Sequence, residues 1–519
     1  MATPPLIRFG LALTAVAIGS ARANVALAPL FSDHAVLQTG KAVPVWGRAD
    51  PGEKVTVKFL EYTAAGLADP DGRWVAFLPP MSSLSSGAEL VVTGKNSISV
   101  HDVVVGEVWL CSGQSNMEFT VHDPKAPNFS LKNGEAEAAG ANYPLIRQFA
   151  VERQVAGKPA DAVGGAWSAC SPATAGRFTA VGYFFARDIF HRFGVPVGII
   201  DCTWGGTPVE SWMSPEALAS DPAFAVVGER WKQTLAEYPA KKTAFNSAIA
   251  EWTRGEAAEA AAGEARHAAF LKTHPRPREP LGPGSSWTPA GLFNGMVNPL
   301  LPYGIRGVLW YQGESNAARA SEYHRLFSAM ITAWRSHFGQ GDFPFYWVQL
   351  AGYKAPDDPT GASWAWLREA QSQTLGLPAT GQALAIDIGD PDNIHPGNKQ
   401  EVGRRLALIA KARVYGLSVD FSGPVFSGAT VEGGSIRVRF EFADNGLTAQ
   451  GKPLQSFELA GADRKFHPAS ASISGSTVVV RSAEVPAPVA VRYAWQNAPE
   501  ANLFNGAGLP ATPFRSDDW

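Results

Sequence analysis

Cysteine is scarce in this chain, with three among 519 residues at Cys111, Cys170 and Cys202. An odd number permits at most one disulfide and leaves a free thiol. With no C-x-x-C and no His/Cys cluster at ligand spacing, a structural zinc site is disfavoured and no metal is expected. An excess of one charge is also missing. The 44 basic and 47 acidic residues leave a net charge of −3 without a long basic run, so a nucleic-acid footprint is absent. No apolar run reaches the roughly 20 residues that span a bilayer. No repeat of 20–50 residues is visible, which removes solenoids and propellers.

What remains is a chain rich in core formers and turn formers. Hydrophobic residues make up 45% and charged residues 18%, which excludes a disordered or collagen-like polymer. The length predicts three or four folding units. The 52 Gly and 39 Pro predict many turns, and 16 Trp with 11 Tyr supply flat faces suited to sugar rings. At the start, Arg8, the apolar Leu11 to Gly19 and the small-x-small Ala21-Arg22-Ala23 read as a secretory signal peptide over 1–23. The mature protein would begin near Asn24, be periplasmic or secreted, and have no membrane attachment once the signal is removed.

From 24 to 104 short alternating segments, such as Lys54-Val55-Thr56-Val57-Lys58-Phe59, are separated by Asp50-Pro51-Gly52 and Asp69-Pro70-Asp71-Gly72. That pattern predicts a β-sandwich. From 105 to 416 the pattern becomes α/β. Buried strands are expected at Val103 to Leu110, Val195 to Cys202, Gly307 to Tyr311, Phe345 to Leu350 and Ala383 to Ile388. Helices are expected at Ala180 to Phe193, Tyr323 to Phe338 and Gln400 to Ala412, giving a mostly parallel sheet. An Ala/Glu/Lys/Arg-rich stretch at 215–283 predicts a helical insertion, which composition favours as a solvated hairpin. From 417 to 519 β patterning returns.

Open α/β sheets build their sites at strand ends. The first end is Gly113-Gln114-Ser115-Asn116-Met117, where a serine hydroxyl stands free and its own N–H can face an oxyanion. Met117 occupies the place of the second glycine of G-x-S-x-G, so this is not the nucleophile elbow of an ordinary α/β-hydrolase. The second is Trp204-Gly205-Gly206-Thr207, whose glycines admit close backbone approach to a ligand. The third is Trp310-Tyr311-Gln312-Gly313-Glu314-Ser315-Asn316. There Gln312 can donate an amide, and Glu314 or Asn316 can hold hydroxyls. A general base must come from the 10 His. His395 stands out in an Asp/Asn-rich loop anchored by Pro396, with Asp392 three residues earlier, a spacing that lets a carboxylate hold one ring nitrogen.

These segments, with Lys399, Arg404-Arg405-Leu406-Ala407 and the opening Phe31-Ser32-Asp33-His34-Ala35-Val36-Leu37-Gln38, resemble the bacterial sialate O-acetylesterase family. That family belongs to the wider group of SGNH-type carbohydrate esterases. The resemblance extends over nearly the whole mature chain. It implies a flavodoxin-like hydrolase core and acyl transfer without cofactor, on an acetylated sugar as partner. Ser115 would be the nucleophile and His395 the acid/base, with Asp392 as third member, or Asp390 or Asp387 in its place, or a Ser–His dyad. The oxyanion donors would be the Ser115 and Gly205 N–H groups and Gln312. Gln114, Asn116, Glu314 and the flat faces of Trp204, Trp109 and Trp310 would meet the sugar. The expected activity is removal of acetyl esters from O-acetylated sialic acid or from hemicellulose such as xyloglucan or xylan. The alternatives are a catalytically silent carbohydrate-binding protein and a general short-chain arylesterase.

Overall fold

A computed structural model describes residues 24–519; the expected signal segment lies outside the described residues. The 17-residue strand Ser97–Gly113 organises much of what is described. Its first residues alternate between exposed and buried, and every residue from Val103 onward is buried. Alternation suits a sheet with one wet face, and continuous burial a sheet covered on both faces. The early part pairs antiparallel with Leu84–Thr93 and parallel with Val36–Gln38. From Glu107 on, the same strand lies between Val197–Thr203 and Gly307–Tyr311, parallel to both. The boundary expected at 104/105 therefore falls inside one strand. The change of pattern marks where helices begin to cover the sheet, and the chain runs straight through it.

The row of core strands runs Gly165–Cys170, Tyr143–Val151, Val197–Thr203, Ser97–Gly113, Gly307–Tyr311, Phe345–Gln349 and Thr380–Leu384. Its first pair is antiparallel and the rest parallel, so the sheet is mixed. Tyr143–Val151 escapes the sequence reading because Arg147 and Gln148 are buried in mid-strand and break the apolar run. Trp109, Trp310 and Trp347 are each fully buried within this sheet. Trp310 packs edge-on against Trp212 and Trp334, with centroids 6.0 and 5.9 Å away.

Two helices that carry the site's frame, Ala180–Phe193 and Lys399–Arg413, touch through Gly403, where a Cβ would come within 2.7 Å of Phe184 Cβ. Thr179 caps the first helix, and Gly194 closes it in the left-handed conformation at φ 67°. In the 215–283 stretch, the long helix Ala225–Ala261 folds back through Glu264–Thr273, and only Val227 is buried in the long helix. Arg230 ties that helix to Glu322 with two hydrogen bonds of 2.7 and 2.8 Å. Beyond Leu417 two four-stranded sheets enclose a separate core around Val438, Leu459, Val480 and Tyr493. Buried Arg368 joins this part to the row of core strands by donating to the carbonyls of Gln496 and Asn497. Cys111, Cys170 and Cys202 are free buried thiols. Among the described residues no helix is long and apolar enough to cross a membrane.

Candidate active site

The long strand ends at Gly113, whose φ of +130° and position 2.2 Å (for an added Cβ) from the Tyr311 carbonyl leave room only for glycine. The chain then turns into the short helix Ser115–Glu118. Gln114 N–H donates to Tyr311 O at 2.9 Å, and Gln114 Oε1 accepts from the N–H groups of Gly313 and Ser315 at 3.3 Å. The Ser115 turn is thereby tied to the third strand end. Among the described residues the Ser115 N–H has no acceptor, which leaves it available to a ligand. Ser115 Oγ lies 2.8 Å from His395 Nε2 across 280 positions of sequence.

The histidine comes from the loop between the last core strand and helix Lys399–Arg413. Asp387 anchors that loop by accepting from Arg405 at 2.6 and 2.7 Å, and Asn393 Oδ1 accepts from the His395 N–H at 3.0 Å. The His395 ring stands edge-on to Phe129, 5.0 Å away. Burial, helped by the positive charge of Lys399, pushes the imidazole down to about 4, so it is held neutral. A cleft of about 500 Å³ opens beside it, lined among others by Phe119, Asn128, Lys132, Asp390 and Asn398.

Several expected partners are placed elsewhere. Asp392 turns to solvent and pairs with Lys354 at 2.7 Å, and among the described residues no carboxylate bonds to the His395 ring. A three-residue separation in a loop sets a distance along the chain, whereas the turn through Pro391 and Asn393 sends the carboxylate outward. Gln312 is fully buried. Its Nε2 donates to Thr207 O at 3.1 Å and Asn316 Oδ1 at 2.7 Å, and its Oε1 accepts from Tyr323 at 2.9 Å. Both amide hydrogens are committed, so Gln312 braces the loop and faces no oxyanion. Asn116 is likewise buried and fully bonded, donating to Glu314 Oε1 at 2.5 Å and Ile394 O at 3.0 Å and accepting from Lys399 Nζ at 2.5 Å. The Glu314 carboxyl is shut off with it, and burial raises its pKa. Neither side chain is turned to a sugar. Trp109 and Trp310 are core residues, fully buried.

On the other side of Ser115, Trp204 stays half-exposed with the Arg153 guanidinium 5.6 Å from its ring centroid. Gly205 N–H donates to the Glu118 carboxylate, which also pairs with Arg153. An added Cβ on Gly205 would lie 3.4 Å from Ser115 Cβ, so this residue borders the serine. Trp287, just beyond the helical insertion, donates from Nε1 to Gly206 O at 2.8 Å. Sequence reasoning passed over Trp287, Glu118 and Arg153. The one signal was their type, an aromatic after the Gly/Ser-rich return and a charged pair within reach of the Gly-Gly turn. No group of three or more His, Cys, Asp or Glu able to hold a metal ion occurs among the described residues.

Residues 286–411 match a family model described as carbohydrate esterase, sialic acid-specific acetylesterase. A carbohydrate acetylesterase from Xanthomonas citri superposes with a TM-score of 0.79 and is 39% identical, covering 95% of this chain and 100% of its own. The sialate O-acetylesterase of Rattus norvegicus is 28% identical over 91% of this chain and 90% of its own length. The sialate O-acetylesterase of Homo sapiens is 28% identical over 99% and 97% respectively.

Proposed function

From the premise that this chain belongs to the sialate O-acetylesterase family of carbohydrate esterases, and is a carboxylic ester hydrolase, we propose that it is an exported SGNH-type enzyme using a Ser115–His395 dyad. The 2.8 Å contact between Ser115 Oγ and His395 Nε2 carries this reading. The substrate ester's acetyl carbonyl is attacked by Ser115 Oγ as His395 Nε2 takes the hydroxyl proton. The oxyanion meets the Ser115 N–H; the Gly205 N–H, expected as a second donor, borders the serine but is bonded to the Glu118 carboxylate. The tetrahedral intermediate collapses, His395 returns the proton to the departing sugar oxygen, and acetyl-Ser115 remains. Water, deprotonated by the same imidazole, then releases acetate and restores the serine.

A neutral imidazole is the form that can accept the serine proton, and the burial of His395 supplies it without a carboxylate. Trp204 with Arg153 presents a flat and a polar surface beside the nucleophile, a combination suited to a sugar ring. Gln114, at the turn itself, is buried and its Oε1 is taken by the Gly313 and Ser315 N–H groups, so it braces the turn. Export follows from the signal-like segment at 1–23, with a mature start near Asn24.

The test is acetate release by the mature protein and by Ser115→Ala from 9-O-acetylated sialic acid and from acetylated xyloglucan or xylan oligosaccharides. Loss of release from both substrates in the variant supports Ser115 as the nucleophile. The preferred substrate decides between a sialate esterase and a hemicellulose esterase. Undiminished release in the variant refutes the assignment of the nucleophile.

A further inference from the structure

Lys399 is the opening residue of helix Lys399–Arg413, and none of its surface is exposed. A lysine side chain shut away from water is unfavourable unless its ammonium is satisfied. Its Nζ donates to Asn116 Oδ1 at 2.5 Å and lies 4.7 and 5.2 Å from the ring centroids of Phe119 and Tyr311. Those contacts replace hydration with a charge-assisted hydrogen bond and two aromatic faces. The acceptor is the residue directly after the nucleophile.

Asn116 is a three-way junction. Its one oxygen is taken by Lys399, and its amide hydrogens go to Glu314 on the third strand-end loop and to Ile394 O, the carbonyl just before His395. The nucleophile turn, the Glu314 loop and the histidine loop thus meet on a single side chain. If the amide rotated, all three bonds would break together. The ammonium above it accepts no hydrogen bond, so it dictates which end of the amide faces it.

We propose that Lys399 is a positioning residue of the esterase, one that fixes the Asn116 junction and so holds Ser115 and His395 at bonding distance where no carboxylate orients the imidazole. This deepens, and rests on, the Ser115–His395 reading. In a triad the third member aims the base from behind. Here a cation sets the loop frame that carries the base, from the far side of the nucleophile turn.

The same ammonium has an electrostatic consequence. The groups around His395 are the Ser115 hydroxyl, the Phe129 edge and Lys399, with Asp390 lining the same cleft. Asp392 is engaged with Lys354, Asp387 with Arg405, and Glu314 with Asn116. Around Lys399 stand Asn116, Phe119, Tyr311 and the Glu314 carboxylate, which opposes the burial that depresses the ammonium. A positive charge disfavours imidazolium, so its removal raises the His395 pKa and moves the acid limb of kcat/KM to higher pH.

The experiment compares Lys399→Met, Lys399→Arg and Asn116→Ala in the full mature chain. It follows kcat, KM and kcat/KM against pH for an acetyl ester, and the rate of Ser115 labelling by a fluorophosphonate. Lys399→Met is expected to lower kcat at least about thirtyfold with KM changed less than about threefold, and to shift the acid limb upward. Lys399→Arg restores the acid limb, because the cation is kept. Asn116→Ala lowers kcat and labelling with the acid limb unmoved, because the charge remains and only the junction is lost.

Folded Lys399→Met with near wild-type kcat, or with a lowered kcat and an unmoved acid limb, overturns the proposal. If Lys399→Met does not fold, Asn116→Ala decides: kcat within threefold of wild type overturns it, and a large fall at constant acid limb supports it. Activity surviving in Ser115→Ala would instead sink the dyad itself. Activity lost in Ser115→Ala but kept in the Lys399 and Asn116 variants leaves the dyad standing and removes only this inference.

Discussion

Asp392→Ala separates two accounts of how His395 is held. The carboxylate and its Lys354 partner have side chains 78% and 62% exposed, and their ion pair lies in solvent. An exposed pair of this kind is worth about 0.2–1 kcal/mol, a factor of five at most. It also makes no contact with the imidazole, so even that loss falls on the loop and not on the reacting atoms. The expected result is a kcat within about fivefold of wild type and an essentially unchanged melting temperature. A triad carboxylate behaves differently, since its removal costs about ten-thousandfold in kcat by leaving the base in the wrong tautomer. The two outcomes differ by roughly three orders of magnitude, far beyond assay error. Acetate release under saturating substrate, with thermal melting as the folding control, reads the difference directly. A fall of a thousandfold or more in a normally folded Asp392→Ala protein would show that the carboxylate reaches the ring during turnover and would refute the dyad.

Ser115→Ala and His395→Ala are each expected to lower kcat at least about a thousandfold, checked by steady-state acetate release. Because burial and then the Lys399 charge push His395 down to about 4, the base stays neutral above that value. The kcat/KM of the wild type should therefore hold level through pH 5 and fall only as pH approaches about 4; an acid limb near 6.5 contradicts this. Gly113→Ala forces a Cβ to within 2.2 Å of the Tyr311 carbonyl at a φ of +130°, so urea unfolding should show a loss of about 4 kcal/mol or more, or no folded protein at all. Trp204→Ala should raise KM for oligosaccharide esters more than for a small aryl acetate, and equal effects on both would remove Trp204 from the sugar surface.

The sequence made the strand ends legible because each chemical group sits where a buried run stops. Gly113-Gln114-Ser115 and the loop of His395 could be found that way, and they do meet. Helix Ala180–Phe193 and strand Gly307–Tyr311 were likewise readable at their observed bounds, since period and caps agree there. The failures have a common cause. Asp392, Gln312, Asn116 and Glu314 all carry groups that suit a site, but the direction of a side chain depends on partners far away in sequence. Gln312 is claimed by Thr207, Asn316 and Tyr323, and Asn116 by Lys399, Glu314 and Ile394. No local pattern encodes such claims. Lys399 entered the sequence reading only as part of the family resemblance, and its burial under the rings of Phe119 and Tyr311 is likewise a matter of distant partners.

Strand Ser97–Gly113 serves two layers at once, and this constrains how the protein can be cut and recombined. Its early residues are laced to Leu84–Thr93 and Val36–Gln38, while its last residues deliver the serine. A graft of the hydrolase onto another scaffold, spliced at the compositional border near 104, would divide that strand and strip its N-terminal half of the pairing that anchors it, at the end away from Ser115. The N-terminal layer is therefore an abutment for the catalytic sheet. Shuffling that respects the molecule has to move both together, and with them the C-terminal part whose carbonyls satisfy buried Arg368.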